Sequence, residues 1–330
     1  MIEILSDIND LLKTGNVFLY RAKLKPPDVG LYAVRVDVGR ALLEHSANVP
    51  IIDGKAVVRH FAEGHTEKYK RSLIGSNESI GKIADSAFIS GTPNYYHFLV
   101  THLPSLILLS AEPRPMNLTM VGMPKAFETF LPKVLPVLST RNDVKLNLVS
   151  PGIYDVQNAV FPLRPPTVLP AHVCRHLVLP LVLGLAGVAD PLREMGPLKL
   201  FERRENSSNG RNLINQAEVE SWFLARGYTS VNPGAFTFEE QVLLFSRATH
   251  IARVEGAAMT NMLFAVNAKQ VSVIASPKTG KENFFKSLAE HHRYDFKTIF
   301  GHVDADSSGA VKRSTDFYLA MEALNAVVDL

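Results

Sequence analysis

Residues 251–276 read IARVEGAAMTNMLFAVNAKQVSVIAS. An apolar strand pattern ends at a glycine. The small residues Gly256, Ala257 and Ala258 then open a helix pattern, and QVSVIAS forms a second strand pattern. Strand, tight turn, helix and strand in that order are the unit of a parallel α/β sheet. Small residues at the corner let a ligand approach the backbone closely. The N–H groups and positive dipole of a helix start suit an anion, with Thr260 and Asn261 adding polar side chains. The alternative is a tightly packed corner with no ligand.

Upstream the rhythm continues. LKLFERR (198–204) reads as a strand, ENSSNGRN (205–212) as a loop, and Gln216–Arg226 as an amphipathic helix closed by Gly227. TSVNPG (229–234) is a short strand and turn. Thr237 precedes a helix carrying Glu239 and Glu240 in its first turn and an apolar stripe of Val242, Leu244, Phe245 and Ala248. Downstream, Thr315–Val328 reads as a closing helix. The sequence therefore predicts a nucleotide-binding α/β domain over 198–312 and a C-terminal helix, 313–330, free to pack back on the N-terminal domain.

The first half has the same character in looser form. VFLYRAKL and LYAVRVDVG are strand-like, Tyr95–Ser110 is a helix capped by Thr92 or Asn94, and NLTMVGM and KLNLVS are short strands around the helix AFETFLPKVL. This predicts an acceptor-side α/β domain over 1–165. Proline recurs from 162 to 197, so 166–197 reads as an interdomain connection. A length of 330 residues fits two domains.

Composition excludes several classes. A net charge of +3 is too mild to imply nucleic acid. The single cysteine, Cys174, forbids an internal disulfide and fits a reducing, cytoplasmic compartment. MIEILSDINDLLKTG has no basic region leading into an apolar one, so no signal peptide is read. The longest apolar run, Leu177–Ala189, is shorter than a bilayer span, which leaves room only for peripheral association at the inner membrane.

Two further stretches carry candidate chemistry. Arg203, Arg204 and Arg211 flank the ENSSNG loop at the end of a predicted strand, where open α/β sheets bind ligands. Guanidinium forks match phosphate oxygens and neutralise a leaving diphosphate without a metal; the alternative is a solvated charge cluster. In GTPNYYHFLVTHLP (91–104), Asn94, His97, Thr101 and His102 gather on one helix, His97 and Thr101 on one face and His102 on the next. A histidine there can take a proton from an acceptor hydroxyl or sit buried against a backbone carbonyl.

The ordered set of these motifs resembles glycosyltransferase family 61. RNLINQAEVESWFLARGY (211–228) and FTFEEQVLLFSRATHIARVEGAAMTNMLFA (236–265) are similar to that family's R-x-x-x-N-E, E-Q-x-x-L-F-x-x-A and H-G-A-x-L-T-N-x-L-F. NYYHFLVTHLP (94–104) is similar to N-x-x-H-W-L-x-D-x-L-P. The resemblance runs from 91 to 277 with a gap in the middle. It implies a GT-B fold, two Rossmann-like domains facing a central cleft, and inverting, metal-independent transfer. The donor is a nucleotide-sugar and the acceptor a glycan or glycolipid, as in surface and capsular polysaccharide biosynthesis. Bacterial relatives work there, and plant relatives include xylosyl- and arabinosyltransferases.

Carried over by residue, Arg203 matches the strand-end arginine, Arg211 and Asn215 the R-x-x-x-N pair, and Gln241 the E-Q glutamine. Gly256, Thr260 and Asn261 match the glycine corner, and His97 the N-domain histidine. Donor binding is thus expected of Arg203, Arg211, Asn215, Gly256, Ala257, Ala258, Thr260 and Asn261, and acceptor-side contacts of Asn94, Thr101 and His102. Two positions depart from the pattern: Glu255 stands for the family's histidine and Thr101 for its aspartate. His97 and Glu255 are therefore the candidate catalytic residues. The departures also motivate an alternative, a non-catalytic glycan- or partner-binding module on a degenerate transferase fold. A third reading transfers a non-sugar group such as pyruvyl.

Other signals are set aside. Asp304-Ala305-Asp306 reads as a solvated turn rather than a metal site. His172-x-Cys174-x-His176 lacks a fourth ligand, and His291-His292-Arg293 reads as surface. No metal or cofactor is expected, and the sequence carries neither a P-loop nor a serine-hydrolase elbow.

Overall fold

The computed structural model describes residues 3–5, 17–22, 29–43, 48–52, 55–57, 78–89, 91–92, 94–139, 143–163, 169–204, 210, 212–277, 283–303 and 316–327. The chain divides into two compact units, 1–176 and 177–330. Both are mixed α/β with parallel-rich sheets, as the sequence predicts.

The first unit is built on β1 (Glu3–Leu5), β2 (Val17–Ala22), β3 (Val29–Leu43), β4 (Asn48–Ile52), β5 (Lys55–Val57), β6 (Lys82–Phe88), β7 (Asn117–Met120), β8 (Leu146–Leu148) and β9 (Gly152–Pro162). They form one sheet in the order β1-β5-β4-β3-β9-β6-β7-β8, with β2 also on β3. The long β3 runs antiparallel to β2, β4 and β9. From β9 onward the sheet is parallel, through β6 and β7 to β8. Phe88 and Phe161, from the paired strands β6 and β9, stack at 4.5 Å within a core that includes Val34, Val36 and Val156. A helical run, α1 (95–111), follows β6, and α2 (Phe130–Leu138) follows β7.

Two glycines hold the ends of this parallel part together. A Cβ on Gly91 would overlap the backbone of Gly122, so the segments leaving β6 and β7 touch through bare backbone.

The proline-rich stretch is more ordered than its composition suggests. Residues 169–186 form one helical run, α3, followed by α4 (Pro191–Met195). Each proline sits where its missing N–H costs little. Pro170 is in the first turn, Pro180 follows a π-helical turn at Cys174–Val178, and Pro191 is the first residue of α4. Counting only Leu177–Ala189 understated the apolar helix. At 18 residues and mean hydropathy 1.5, Leu169–Ala186 is long and apolar enough to cross a membrane, yet half of it is buried within the protein.

The second unit is a five-stranded, wholly parallel sheet. Its strands are β10 (Leu198–Glu202), β11 (Thr229–Val231), β12 (Ala248–Val254), β13 (Gln270–Ala275) and β14 (Asp295–Phe300), ordered β11-β10-β12-β13-β14. The crossovers are α5 (Gln216–Leu224), α6 (Phe238–Ser246), a 3₁₀ helix (Ala257–Phe264) and α7 (Asn283–His292). Thr237 and Glu240 close a reciprocal capping box on α6, which fixes where that helix starts. Phe201, Ala252, Val254, Ile274 and Ile299 face α5 through Val219 and Phe223, forming one core.

The closing helix is shorter than expected: α8 is Met321–Val327. Residues ahead of it are extended because their backbone is claimed elsewhere. Phe317 N–H donates to Asn212 O at 3.0 Å, Ile214 N–H to Phe317 O at 2.8 Å, and His302 N–H to Tyr318 O at 2.8 Å. Asp316 accepts from Asn212 N–H at 2.8 Å instead of capping a helix. Leu324 of α8 is buried in the core of this second unit. Gly301 permits the crossing, since a Cβ there would meet the Phe317 ring and Tyr318 O.

Gly91→Ala and Gly301→Ala should each cost about 1–3 kcal/mol in urea unfolding, because the neighbours are backbone or core ring atoms with nowhere to move. Gly184→Ala, on α3 with nothing within 4 Å, should leave stability unchanged or raise it by up to about 1 kcal/mol.

Candidate functional site

In the second unit, the chain goes from β10 outward to β11, then crosses back to β12 on the other side of β10. Strand order therefore reverses between β10 and β12. In open parallel sheets the ligand crevice lies at that reversal, outside the carboxyl ends of the strands. The residues there are Glu202, Arg203 and Arg204 after β10, and Val254, Glu255 and Gly256 after β12.

Arg204 joins these two strand ends. Its Nη1 donates to Glu255 O at 2.8 Å and its Nη2 to Gly210 O at 3.4 Å, and its own N–H donates to Gln216 Oε1 at 3.1 Å. The guanidinium lies over Gly256: a Cβ there would stand 3.7–3.9 Å from Arg204 Cδ, Nε and Cζ. Gly256 opens the eight-residue 3₁₀ helix at Ala257 and Ala258, whose first N–H groups precede any intrahelical acceptor. A fixed cation thus sits over a helix start at the reversal point of a parallel sheet. Arg203, the carried-over arginine, is exposed, and its backbone N–H donates to Val231 O at 3.0 Å. Sequence matching favoured Arg203; the residue at the glycine corner is its neighbour. Arg211 lies outside the described residues.

Beneath the corner is a buried ion pair. Glu202 and Arg253 are in register on β10 and β12, with Nη2 to Oε1 at 2.9 Å and Nη1 to Oε2 at 2.8 Å, both side chains almost fully buried. Burial pushes the Glu202 carboxyl up, and the facing guanidinium opposes that shift. The Nη2–Oε1 contact is a hydrogen bond and the Nη1–Oε2 contact a close charge approach; together they oppose the desolvation of both ions. Sequence reasoning passed over the pair, because nothing in LKLFE or HIARV marks a charge as inward-facing.

Beside the pair is a small half-open recess of about 20 Å³. Val273 and Ala275 come to it from β13, Phe296 and Thr298 from β14, Met259 from the 3₁₀ helix, Lys286 from α7 and Glu255 from the corner.

Several residues expected to touch a ligand build the frame instead. Asn261 and Thr260 are fully buried, and Asn261 Nδ2 donates to Gln241 Oε1 at 2.9 Å while Gln241 Nε2 donates to Phe236 O at 3.1 Å. This chain of amides locks the 3₁₀ helix to α6. Asn215 clips the C-terminal strand: Leu319 N–H donates to its Oδ1 at 3.0 Å, and its Nδ2 donates to Leu319 O at 2.9 Å. Both asparagines hold the corner's neighbours in place.

In the first unit, α1 starts at the carboxyl end of β6. Strand order reverses between β6 and β9, so this end too is a reversal point. Asn94 caps the helix, accepting from His97 N–H at 3.1 Å. His97 is exposed, and partial burial holds its imidazole below the usual histidine value. Residues 98–102 form a π-helical turn, with Leu103 N–H donating to Phe98 O. An α-turn would leave residue 102 about 140° round the axis from 97, whereas an i→i+5 turn brings it close beneath. His102 is accordingly buried near His97, its pKa pushed down to about 3 by burial first and by His97 second. Its acceptor-side role is withdrawn; it packs edge-on to Phe98. Thr101 is half-buried.

Of the signals set aside, His292 is a core residue, not a surface one: it is buried and stacks on Tyr294 at 6.1 Å. His172 and His176 stack at 6.0 Å around a buried Cys174. Among the described residues no three His, Cys, Asp or Glu side chains group as metal ligands. Asp304 and Asp306 lie outside those residues.

The family described as Glycosyltransferase 61 matches residues 95–279, more than half of the 330-residue chain. No curated protein matches the chain.

Truncating one member of the ion pair strands the other in the interior. Glu202→Ala and Arg253→Met should each cost about 3–5 kcal/mol in urea unfolding, and Glu202→Leu with Arg253→Met should recover much of that loss.

Proposed function

From the membership of this chain in glycosyltransferase family 61, which its match over 95–279 establishes, we propose an inverting, metal-independent transferase. It moves a sugar from a nucleotide-sugar to a glycan or glycolipid acceptor, in surface or capsular polysaccharide biosynthesis. The observation that carries this reading is Arg204 bridging the strand-order reversal to hold its guanidinium over Gly256. That arrangement matches a diphosphate in charge and shape. Arg203 stands next to it, exposed, as a second cation.

The chemistry is one displacement. An acceptor hydroxyl oxygen attacks the anomeric carbon from the face opposite the diphosphate, and the bond to the diphosphate oxygen breaks. The electron pair leaves with the diphosphate, whose charge Arg204 and the helix start stabilise without a metal. The hydroxyl proton passes to His97, neutral at pH 7 and exposed, which takes over where Thr101 replaces the family's aspartate. In this proposal the first unit serves the acceptor and the second the donor, in the manner of a GT-B enzyme. We infer a cytoplasmic protein that meets the inner membrane peripherally, α3 being half-buried within the protein.

Arg204→Ala should weaken donor binding about ten- to a hundredfold by calorimetry, the loss of a charge-assisted contact of about 1.5–3 kcal/mol. Arg204→Lys should recover only part, lacking the fork. Unchanged donor affinity in Arg204→Ala would sink the site, and donor binding without any transfer would leave the non-catalytic module.

His97→Gln should lower kcat about 10²–10⁴-fold with donor affinity intact. A base must be unprotonated to act, and burial lowers this pKa from 6.5. The wild-type rate should therefore be full at neutral pH and fall only as pH drops through a value below 6.5. An acidic limb that survives His97→Gln would assign the proton to another group.

A further inference from the structure

An outward row near the carboxyl end of the second sheet is apolar, aromatic and uncovered. Phe317 N–H donates to Asn212 O and Ile214 N–H to Phe317 O, so the 212–214 and 316–319 segments run parallel with Leu213 opposite Phe317. On the other side, His302 and Tyr318 exchange backbone hydrogen bonds at 2.8 and 2.9 Å. Leu213 and Phe317 enter the core, so the residues after them, Ile214 and Tyr318, face the other way. Ile214 is 68% exposed, Tyr318 39%, and Phe300, the last residue of β14, 51%. His302 is exposed as well, its ring 5.2 Å from that of Tyr318. Ile214, Tyr318 and His302 thus stand side by side on three neighbouring extended segments, with Phe300 two residues before His302.

Specific contacts hold these rings where they are. A side chain at Gly301 would strike the Phe317 ring and Tyr318 O, so glycine there lets the segments cross. Tyr318 OH donates to Glu218 Oε2 at 3.4 Å, and Asn215 Nδ2 to the same oxygen at 3.1 Å. Asp316, exposed and two residues before Tyr318, is fixed by the Asn212 N–H. Large apolar side chains scattered singly on a surface need no explanation, but several in one aligned row mark an interaction surface.

The chemistry of the row fits one class of ligand. A pyranose carries C–H bonds on its ring faces, which lie well on the negative face of an aromatic ring, and a rim of hydroxyls, which carboxylates accept from. Phe300, His302 and Tyr318 offer the rings, and Glu218 and Asp316 the rim acceptors. Two carboxylates beside the rings disfavour an anionic membrane, nucleic acid or an acidic glycan. The place fits too. Ile214 comes four residues after Gly210 and two before Gln216, both of which accept hydrogen bonds from Arg204. The row therefore lies at the same carboxyl end of the sheet as the glycine corner.

We propose that Ile214, Tyr318, His302 and Phe300 form a platform on which a neutral glycan stacks, a site that tethers the polysaccharide to the second unit and takes no part in the displacement. The proposal follows from membership in a glycosyltransferase family and is independent of the Arg204 donor site.

The test is calorimetry on the full chain with cellohexaose, xylohexaose, maltohexaose and the N-acetylated chitin hexasaccharide, and with hexagalacturonate as the acidic control. At least one neutral hexasaccharide should bind, and hexagalacturonate about tenfold weaker. Tyr318→Ala and Phe300→Ala should each weaken the neutral chain about tenfold or more, while Tyr318→Phe, which keeps the ring, should retain most of the affinity. Phe300 is half exposed at a strand end, so lost binding in Phe300→Ala with an unchanged urea midpoint is a lost contact and not a lost fold.

The platform is overturned if no neutral hexasaccharide binds, if binding survives both ring truncations, or if hexagalacturonate binds as tightly as the neutral chains. None of these results touches the Arg204 site, which pyrophosphate binding reads separately. A dimer in sedimentation that both ring truncations dissociate would give the row to a second copy of the chain instead.

Discussion

The corner rests on one contact, the buried ion pair between Glu202 and Arg253. It lies at the carboxyl end of the two central strands, between which strand order reverses. Parallel strands in register bring their ends out level, so the residue after Glu202 and the residue after Arg253 emerge side by side. Two buried charges make sense only at close to this geometry, because a shift of register would leave each unpaired in the interior. The pair thus ties the register of the two strands to the position of their loops. Arg204 repeats the same tie one layer higher, through the Glu255 carbonyl.

Around that axis the polar residues of the family-matching motifs divide into frame and surface. The fully buried amide of Asn261 reaches Gln241, and the amide of Asn215 reaches the backbone of Leu319. Asn215 spends both its donor and its acceptor on Leu319, so it acts first as a clip on the chain. Among the described residues at the corner, Arg203 is exposed and Arg204, Gly256 and Ala258 are partly so. The arrangement suits a diphosphate: backbone N–H groups and guanidinium forks supply many donors at little reorganisation cost, whereas loose amides would have to be ordered first.

Much of this was legible in the chain. The strand–glycine–helix unit at 251–264, the helix start after Thr237 and the helix start at Asn94 follow from local rules, and each stands where the sequence predicts it. What was not legible depends on tertiary partners. Arg203 and Arg204 are adjacent, so sequence cannot say which faces Gly256; the twist of the strand end decides. The register row that buries Arg253 needs β10 and β12 to be neighbours, a fact of topology. The π-helical turn at 98–102 changes which histidine is buried, and no residue there announces it. The extended segment before α8 overrides a helical pattern, since its backbone groups find strand partners in Asn212, Ile214 and His302.

The glutamate at 255 is the feature most at odds with a phosphate site. A carboxylate about 4 Å from a diphosphate oxygen would be repelled by about 4 kcal/mol at an effective dielectric constant near 20, enough to cancel the attraction of one arginine. A histidine in that position would carry no such penalty. The Glu255 backbone serves the corner through its carbonyl and Arg204, and its side chain is buried. A buried carboxylate next to a helix start is therefore the charge that any anion at this corner has to contend with, and it sets the balance against the neighbouring arginines.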